Sequence, residues 1–158
     1  MKALKEAMEK YGEALVIEIV QQLKDADHEA TGKLARSIDY ELIEALDSIS
    51  IGIKAEKYFA TVDGGRRKGA KPPPSDAILS WMKVRNIKGR DKKTGKFIKQ
   101  KSAAFLIARS IGKNGIKPAF IIKKSLRNLK SLQSKLLTEA AVEDMTKMIS
   151  GVFLMNNP

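Results

Sequence analysis

A run of three prolines, Pro72 to Pro74, constrains the fold most, because proline continues neither a helix nor a central strand. Upstream of it, Gly64 and Gly65 end a short apolar run and allow the chain to turn sharply. The segment between them is strongly basic. The pattern predicts a stiff basic Gly/Pro loop over residues 63–75, whose exposed cations are Arg66, Arg67, Lys68 and Lys71.

A short helix is expected to follow this loop over residues 76–86. Ser75 supplies an N-terminal cap and Asp76 a first-turn negative charge. The helix carries Trp81, the only tryptophan, which we interpret as a core anchor packed on a sheet rather than a base-stacking platform. Structural roles in and around the loop are assigned to Gly64, Gly65, Pro72, Pro73, Trp81 and Pro118.

The net charge of +12 is unevenly distributed along the chain. Residues 1–55 have a net charge of −4, residues 56–101 of +10, residues 102–135 of +8 and residues 136–158 of −2. A basic middle between acidic ends favours either binding to nucleic acid or association of one copy with the next. A solvated lysine-rich surface is the third interpretation.

The chain length of 158 residues predicts a single domain, 1–158. There is no cysteine, so neither a disulfide nor a thiolate metal site supports the fold. Charged residues interrupt any apolar core of a signal peptide, and no apolar run approaches the roughly 20 residues that span a bilayer. The sequence therefore predicts a soluble protein with no membrane partner.

The first 24 residues predict an amphipathic helix, with Leu4, Met8, Tyr11, Leu15 and Ile19 at helical spacing. Further apolar residues, Val16, Ile17 and Val20, widen its apolar face. The helix is therefore either deeply buried or packed on a second subunit.

Residues 33–62 predict a β-hairpin and a short third strand. Leu34, Ile38, Tyr40 and Leu42 alternate with polar residues, and Ile49, Ile51 and Ile53 give the clearest strand signal. Residues 59–62 are also compatible with a helical turn.

Residues 88–101 predict a mobile basic loop or hairpin around the turn Lys93-Thr94-Gly95-Lys96. Its candidate contact residues are Arg90, Lys92, Lys93, Lys96 and Lys99. A merely solvated tip is the alternative.

A long helical region is expected over residues 118–150, beginning at Pro118. Its distal part is a candidate interaction arm, and the alternative is a helix folded back on the sheet. Together the patterns predict an α+β fold, in which a small antiparallel sheet packs against the N-terminal helix, the Trp81 helix and this C-terminal helix.

No catalytic or cofactor-binding pattern is present. Residues 25–36 resemble the start of a calcium loop, but Ala30 and Arg36 stand where glycine and glutamate are required. The sole histidine, His28, has no evident partner, and no Gly-x-Ser-x-Gly elbow frames a serine. We therefore predict a non-enzyme with no metal and no cofactor, which disfavours a toxin-like or regulatory enzyme.

Nonspecific nucleic-acid binding through the basic central segment is the alternative function. Such binding needs only cations on the phosphate backbone. Only Phe97 interleaves with the densest run of cations, and no helix-turn-helix or zinc-knuckle spacing occurs, so the sequence predicts no base recognition.

Several motifs occur in an order that is similar to one family. They are Thr31-Gly32-Lys33-Leu34-Ala35-Arg36-Ser37-Ile38, Ile51-Gly52, Tyr58-Phe59-Ala60-Thr61-Val62-Asp63-Gly64-Gly65, Pro72 to Ile87, Phe105 to Gly115 and Lys117-Pro118-Ala119-Phe120. Over roughly residues 30–130 the chain resembles the tail-completion, or head–tail joining (neck), proteins of long-tailed bacteriophages, which include minor tail proteins of the Z type. Asp63 stands where that family usually has glutamate.

The resemblance implies a structural virion protein that completes the tail or joins the head connector to the tail. It implies a ring of copies, typically a hexamer, around the DNA passage, with assembly in the host cytoplasm. Its expected partners are further copies, connector or adaptor proteins, tail-terminator or tail-tube proteins, and passing DNA through nonspecific contact. The loop cations Arg66, Arg67, Lys68 and Lys71 would then face a neighbouring subunit, the DNA lumen or solvent.

Overall fold

The computed structural model describes residues 2–26, 32–46, 48–91 and 93–155. Its elements in chain order are α1 Lys2–Asp25, α2 Lys33–Ser37, β1 Asp39–Glu44, β2 Ile49–Lys54, α3 Phe59–Gly64, α4 Ser75–Val84, α5 Gln100–Asn114, α6 Ile121–Asn128 and α7 Lys130–Met155. The predicted α+β class, N-terminal helix and long C-terminal helical region are confirmed.

The chain divides into two compact units. Unit 1 comprises residues 1–25, 35–56 and 121–158, and unit 2 comprises residues 26–34 and 57–120. The single domain stays a prediction.

Unit 1 is organised around α1, which packs against α6, α7 and the β-hairpin. Besides Gly12, its buried residues recur every four positions and are Ala3, Ala7, Tyr11, Leu15, Ile19 and Leu23. At one end, Ala3 and Ala7 pack on Ala140 and Leu136 of α7. Ile17 remains 71% exposed, so α1 is not buried on all sides, and packing on a second subunit stays a prediction.

The hairpin pairs β1 and β2 in antiparallel register, with Tyr40 opposite Ile53 and Leu42 opposite Ile51. The ring of Tyr40 lies against Gly12 of α1 so closely that a Cβ at position 12 would overlap it. Burial, followed by the charges of nearby carboxylates, raises the pKa of the Tyr40 phenol. The predicted alternation of β1 and β2 is therefore observed, with α1 covering its apolar side.

The predicted strand start at residue 33 and the predicted third strand are wrong. Residues 33–37 form α2, since Lys, Leu, Ala and Arg all favour helix, and the four-residue spacing of Leu34 and Ile38 fits a helix as well as a strand. Residues 59–64 form α3, in which the Tyr58 carbonyl accepts hydrogen bonds from Thr61 and Val62. Within the described residues the sheet has two strands.

The C-terminal region is divided at Leu129 into α6 and α7. Helical hydrogen bonding continues across this division. The Leu129 amide donates to the Ser125 carbonyl, and the Gln133 amide donates to the Leu129 carbonyl. Helix begins at Ile121, three residues beyond the predicted start at Pro118.

Unit 2 is organised around the pair α4 and α5. Met82, Ala103 and Ala104 form its buried core, and the apolar side chains packed around them include Ile78, Leu79 and Ile98. Trp81 is 41% exposed, so its predicted role as a core anchor is wrong. The row that faces α5 runs through Ile78 and Met82, four residues apart, and Trp81 lies beside that row.

Candidate interaction surface

The basic loop, residues 65–74, lies along the C-terminal end of α5. Arg66 and Ile116 exchange two backbone hydrogen bonds of 2.9 Å each as an antiparallel bridge. Gly69 donates a third, of 2.8 Å, to the carbonyl of Gly112. The predicted stiffness of this loop therefore has a physical basis, because its backbone is paired although it forms no strand.

Glycines make this close pairing possible. Gly65 and Gly115 adopt left-handed backbone angles, φ 72° and 73°, and lie against the opposite backbone. A Cβ on Gly65 would lie 2.5 Å from the Ile116 carbonyl oxygen and 2.7 Å from the Pro118 nitrogen. Gly65 thus has the structural role expected of it, whereas a Cβ on Gly64 would meet nothing within 4 Å.

Arg66 differs from the other three loop cations. Its Nη2 donates to the carbonyl oxygen of Lys71, so its guanidinium spans the inside of the loop. Its buried Nε has no hydrogen-bond partner among the described residues. Arg66 therefore has a structural role in the loop. The sequence pattern could not distinguish this role from a contact role.

Arg67, Lys68 and Lys71 are exposed, and within the described part of the chain none of them forms an ion pair. The pairing of Arg66 and Gly69 fixes the backbone that carries these cations, so binding a partner need order only their side chains. These three residues are the part of the loop that can contact an anionic partner.

An apolar groove lies next to the loop in unit 2, and the sequence analysis missed it. It encloses about 370 Å³ and is lined by Tyr58, Thr61, Val62, Ala77, Ile78, Trp81, Ile107, Ile111 and Ile116. Its rim is open to solvent, since Tyr58 and Trp81 are both more than 40% exposed. Ile116 belongs to both features, because its backbone pairs with Arg66.

The only sequence signal for this groove was a second apolar row on α5. Ile107 and Ile111 lie four residues apart, on a helix whose buried side is formed by Ala103, Ala104 and Ala108. The other walls come from α3 and α4, and their convergence with α5 is a property of the tertiary structure.

Of the two forms predicted for the basic segment, a loop or a hairpin, the structure has the hairpin. It occupies residues 88–99, and the predicted end at residue 101 is wrong because α5 begins at Gln100. Arg90 and Phe97 form an antiparallel bridge, and Ile98 donates to Gly89 across it. At the tip, the Asp91 carboxylate accepts hydrogen bonds from the Thr94 and Lys93 amides, at 2.8 and 2.9 Å. These bonds, that of Thr94 first, lower the pKa of Asp91 below its ordinary value.

The Arg90 guanidinium stacks over the ring of Phe97, 4.4 Å from its centroid, while Phe97 itself is 61% exposed. Lys93, Lys96 and Lys99 belong to the same segment and are exposed. Lys92 and His28 lie outside the described residues. The hairpin therefore presents an aromatic ring among cations.

The cations of both features belong to one segment of the sequence. Residues 57–120 contain 17 Lys and Arg against three Asp and Glu, a net charge of +14. The remaining residues together are close to neutral. The net positive charge of the chain thus lies in residues 57–120, although residues 121–135 of unit 1 hold five further cations and no acid.

A second apolar surface lies on α7 in unit 1. The outer stripe, as we name it, consists of Val142, Met145, Met148 and Ile149, each more than half exposed. The opposite side of α7 holds Ala140 and Leu136 against α1. The distal part of the helix therefore offers an apolar surface without a partner in the described structure.

The described residues contain no group of three or more His, Asp or Glu side chains placed to hold a metal ion. None of the helices in the described ranges is both long and apolar enough to cross a membrane. Comparison of the chain with protein-family models, curated proteins and solved structures finds no match.

Proposed function

We propose that this protein is a structural component of the neck of a tailed-phage virion, which completes the tail or joins the head connector to the tail. It acts by complementarity of shape and charge, as a ring of copies around the DNA passage, with no chemical turnover. The observation that carries the proposal is the basic loop, paired to the end of α5 with Arg67, Lys68 and Lys71 exposed.

The resemblance supports the proposal because four of its six motifs, those between Tyr58 and Phe120, contribute residues to one place in unit 2. Gly65 lies against Ile116 and Pro118, and Pro72 lies against Gly112. Tyr58 and Trp81 line the adjacent groove. Motifs that are separated in sequence therefore contribute to one structural feature.

The charge distribution supports it as well. A protein around a DNA passage binds the phosphate backbone without reading bases, for which exposed cations suffice. A net charge of +14 over residues 57–120 satisfies that requirement, and acidic regions elsewhere in the chain allow head-to-tail association of copies.

The test is complementation of phage particles that lack the protein. Without it, negative-stain images should show DNA-filled heads beside unattached tails, and the wild-type chain should restore joined particles. A triple variant, Arg67→Glu, Lys68→Glu and Lys71→Glu, should fold but fail to restore joining.

The matched control reverses three exposed cations of unit 1 instead: Lys10→Glu, Lys130→Glu and Lys135→Glu. Its total charge is the same, so joining by the control together with failure of the loop variant assigns the effect to the loop. Normal joining by the loop variant, or joined particles without any of the protein, contradicts the proposal.

Nonspecific nucleic-acid binding is the second candidate function, and the stacked pair of Arg90 and Phe97 favours it. An exposed ring among cations can stack on a base while lysines bind the backbone. This function predicts dissociation constants of about 1 µM to 100 µM at physiological salt, weakening steeply as salt rises.

Filter binding over a salt series tests this candidate. Phe97→Ala should weaken single-strand binding more than duplex binding, because only unpaired bases offer a free face. Lys93→Ala with Lys96→Ala should weaken both and flatten the salt dependence. Absence of binding even at low salt excludes the candidate.

A further inference from the structure

A second concave feature of unit 2 lies between the basic hairpin, residues 88–99, and α5. This hairpin cleft, as we name it, has a volume of about 640 Å³, and its lining includes Arg90, Lys93, Ile98, Lys99, Ser102 and Leu106. Clefts that bind small molecules typically have volumes of roughly 300–1,000 Å³. The hairpin cleft can therefore hold a group much larger than a single ion.

Close packing holds the two walls of the cleft together. Gly89 of the hairpin lies so close to α5 that a Cβ there would be 2.6 Å from the Cβ of Ala103. The Ile98 amide donates to the Gly89 carbonyl at 3.0 Å, and the Ile98 side chain packs on the core of Met82, Ala103 and Ala104. The base of the hairpin is therefore fixed against α5, and no ligand is needed to form the cleft.

The cleft carries a net positive charge. Arg90, Lys93 and Lys99 each contribute a cation, and Asp91 is the only acid among the described residues that line it. The Asp91 carboxylate is already engaged, since its Oδ1 accepts three hydrogen bonds within the hairpin turn. Residues 77–138 contain no other acid. The cleft therefore attracts an anionic group.

Apolar side chains complete the lining, and they favour a nucleotide over a simple anion. Ile98 is half-buried and Leu106 is 53% exposed, so each leaves hydrocarbon accessible in the cleft. Arg90 lines the cleft and its guanidinium stacks on the ring of Phe97, so that exposed ring adjoins the cleft. A nucleotide offers a phosphate for the cations and a flat base for the apolar walls, whereas an acidic peptide offers carboxylates alone.

We propose that the hairpin cleft binds one unpaired nucleotide of a nucleic-acid strand. Of the lining residues, Lys93, Lys99 and Ser102 bind its phosphate, and Ile98 and Leu106 contact its base. A paired base cannot enter, because its faces are stacked inside a duplex. Exposed cations next to the cleft bind the following phosphates, so a strand binds more tightly than a free nucleotide. The inference rests on the second candidate function, nucleic-acid binding, and does not depend on the virion role.

Loss of the apolar wall tests the site without any change of charge. Leu106→Ala should weaken the binding of a labelled short oligothymidylate about fivefold, as measured by fluorescence anisotropy, and should leave duplex binding and the salt dependence unchanged. Phe105→Ala is the matched control, because Phe105 is 58% exposed and lies outside the lining of the cleft. It should bind the oligothymidylate like the wild type.

A pair of lysines separates binding in the cleft from general electrostatic attraction. Lys99 lines the cleft and Lys101 does not, yet both are exposed at the start of α5. Lys99→Gln should weaken single-strand binding at least about threefold more than Lys101→Gln, because only Lys99 contacts the bound phosphate. All the substituted side chains are exposed, so the variants should fold, which helical circular dichroism verifies.

The failures of the inference and of the proposed functions are distinguishable. Wild-type binding by Leu106→Ala, or equal losses in the two lysine variants, overturns the cleft as the site but leaves nucleic-acid binding standing. Absence of all oligonucleotide binding at low salt contradicts both. Polyglutamate that binds as tightly as the oligothymidylate, and is lost in the same variants, would assign the cleft to an acidic peptide and overturn the proposal. Equal affinity for thymidine monophosphate would overturn it in favour of free nucleotides. Particles that join without the protein contradict only the virion role.

Discussion

Gly112 of α5 and Pro72 of the basic loop are in direct contact: a Cβ built on Gly112 would lie 2.7 Å from Cγ of the proline ring. Gly112 is buried in the last turn of α5, and the helix ends beyond it with Gly115 at the C-cap, so the small size of Gly112 serves packing and not helix termination. The loop keeps its position only while position 112 has no side chain.

Substitution of that glycine should therefore destabilise unit 2. We expect Gly112→Ala to lower the free energy of unfolding by about 1–2 kcal/mol, since the rigid proline ring must move. Gly64→Ala is the control, because a Cβ there meets nothing within 4 Å. It should be neutral or stabilise by up to about 1 kcal/mol. Urea unfolding followed by Trp81 fluorescence measures both; equal effects would contradict the contact.

The two adjacent arginines of the loop should behave differently. Arg66→Ala removes the hydrogen bond to the Lys71 carbonyl and should cost about 1 kcal/mol. Arg67→Ala, at an exposed position, should change stability by less than about 0.5 kcal/mol. Urea midpoints and amide exchange at Gly69 test this expectation, which fails if Arg67→Ala proves the more damaging variant.

Asp144 of α7 should make the stability of unit 1 depend on pH. Its carboxylate accepts hydrogen bonds from the backbone amides of Leu4 and Ala3 at the start of α1, at 3.1 and 3.2 Å. The bond from Leu4, above all, lowers the pKa of Asp144 below its ordinary value of 3.8. Because the pKa is lower in the folded state than in the unfolded state, the charged carboxylate contributes stability to the folded protein above pH 3.8. This contribution is lost as the pH falls through the folded-state pKa.

The wild type should therefore exceed Asp144→Asn in stability most at neutral pH, and the difference should shrink below pH 3.8. Helical circular dichroism in urea at several pH values measures it. Glu139→Gln is the matched control, an exposed change on the same helix away from those amides. A difference that stays constant with pH would show that the charge of Asp144 is not responsible.

Replacement of Ser125 by alanine should stabilise the protein. Its side chain is fully buried in α6, and its hydroxyl has no hydrogen-bond partner in the described structure. Ser125→Ala removes an unsatisfied polar group and favours helix, so the free energy of unfolding should rise by about 1 kcal/mol. Ser134→Ala, exposed on α7, should raise the free energy of unfolding by only about 0.3 kcal/mol, through helix propensity alone. A loss of stability in Ser125→Ala would mean that the hydroxyl is satisfied.

Patterns local to one element predicted much of this fold. The spacing of Tyr11, Leu15 and Ile19 indicated α1, and the alternation of Ile49, Ile51 and Ile53 indicated β2. Gly65 and the prolines indicated the basic loop, because backbone restrictions act within a few residues. Short segments were ambiguous, since the four-residue spacing of Leu34 and Ile38 satisfies a helix and a strand equally.

Features that depend on tertiary structure could not be read from the pattern. Met82 rather than Trp81 is buried because α5 packs against the side of α4 that carries Ile78 and Met82. Arg66 and Arg67 are adjacent residues of the same type, so the sequence does not distinguish them. Arg66 nevertheless bonds across the loop, whereas Arg67 is exposed to solvent. The groove joins α3, α4 and α5, and no segment of the sequence contains its shape.

The hydrogen bonds that Asp144 accepts from the first turn of α1 also bear on the order of folding during synthesis. Unit 1 combines residues 1–25 with residues beyond 120, so its packing must wait until those later residues have been translated. Residues 57–120 form most of unit 2 without interruption and emerge before α7 is translated. A nascent chain halted before residue 121 should therefore hold its basic segment folded while α1 still lacks its cap.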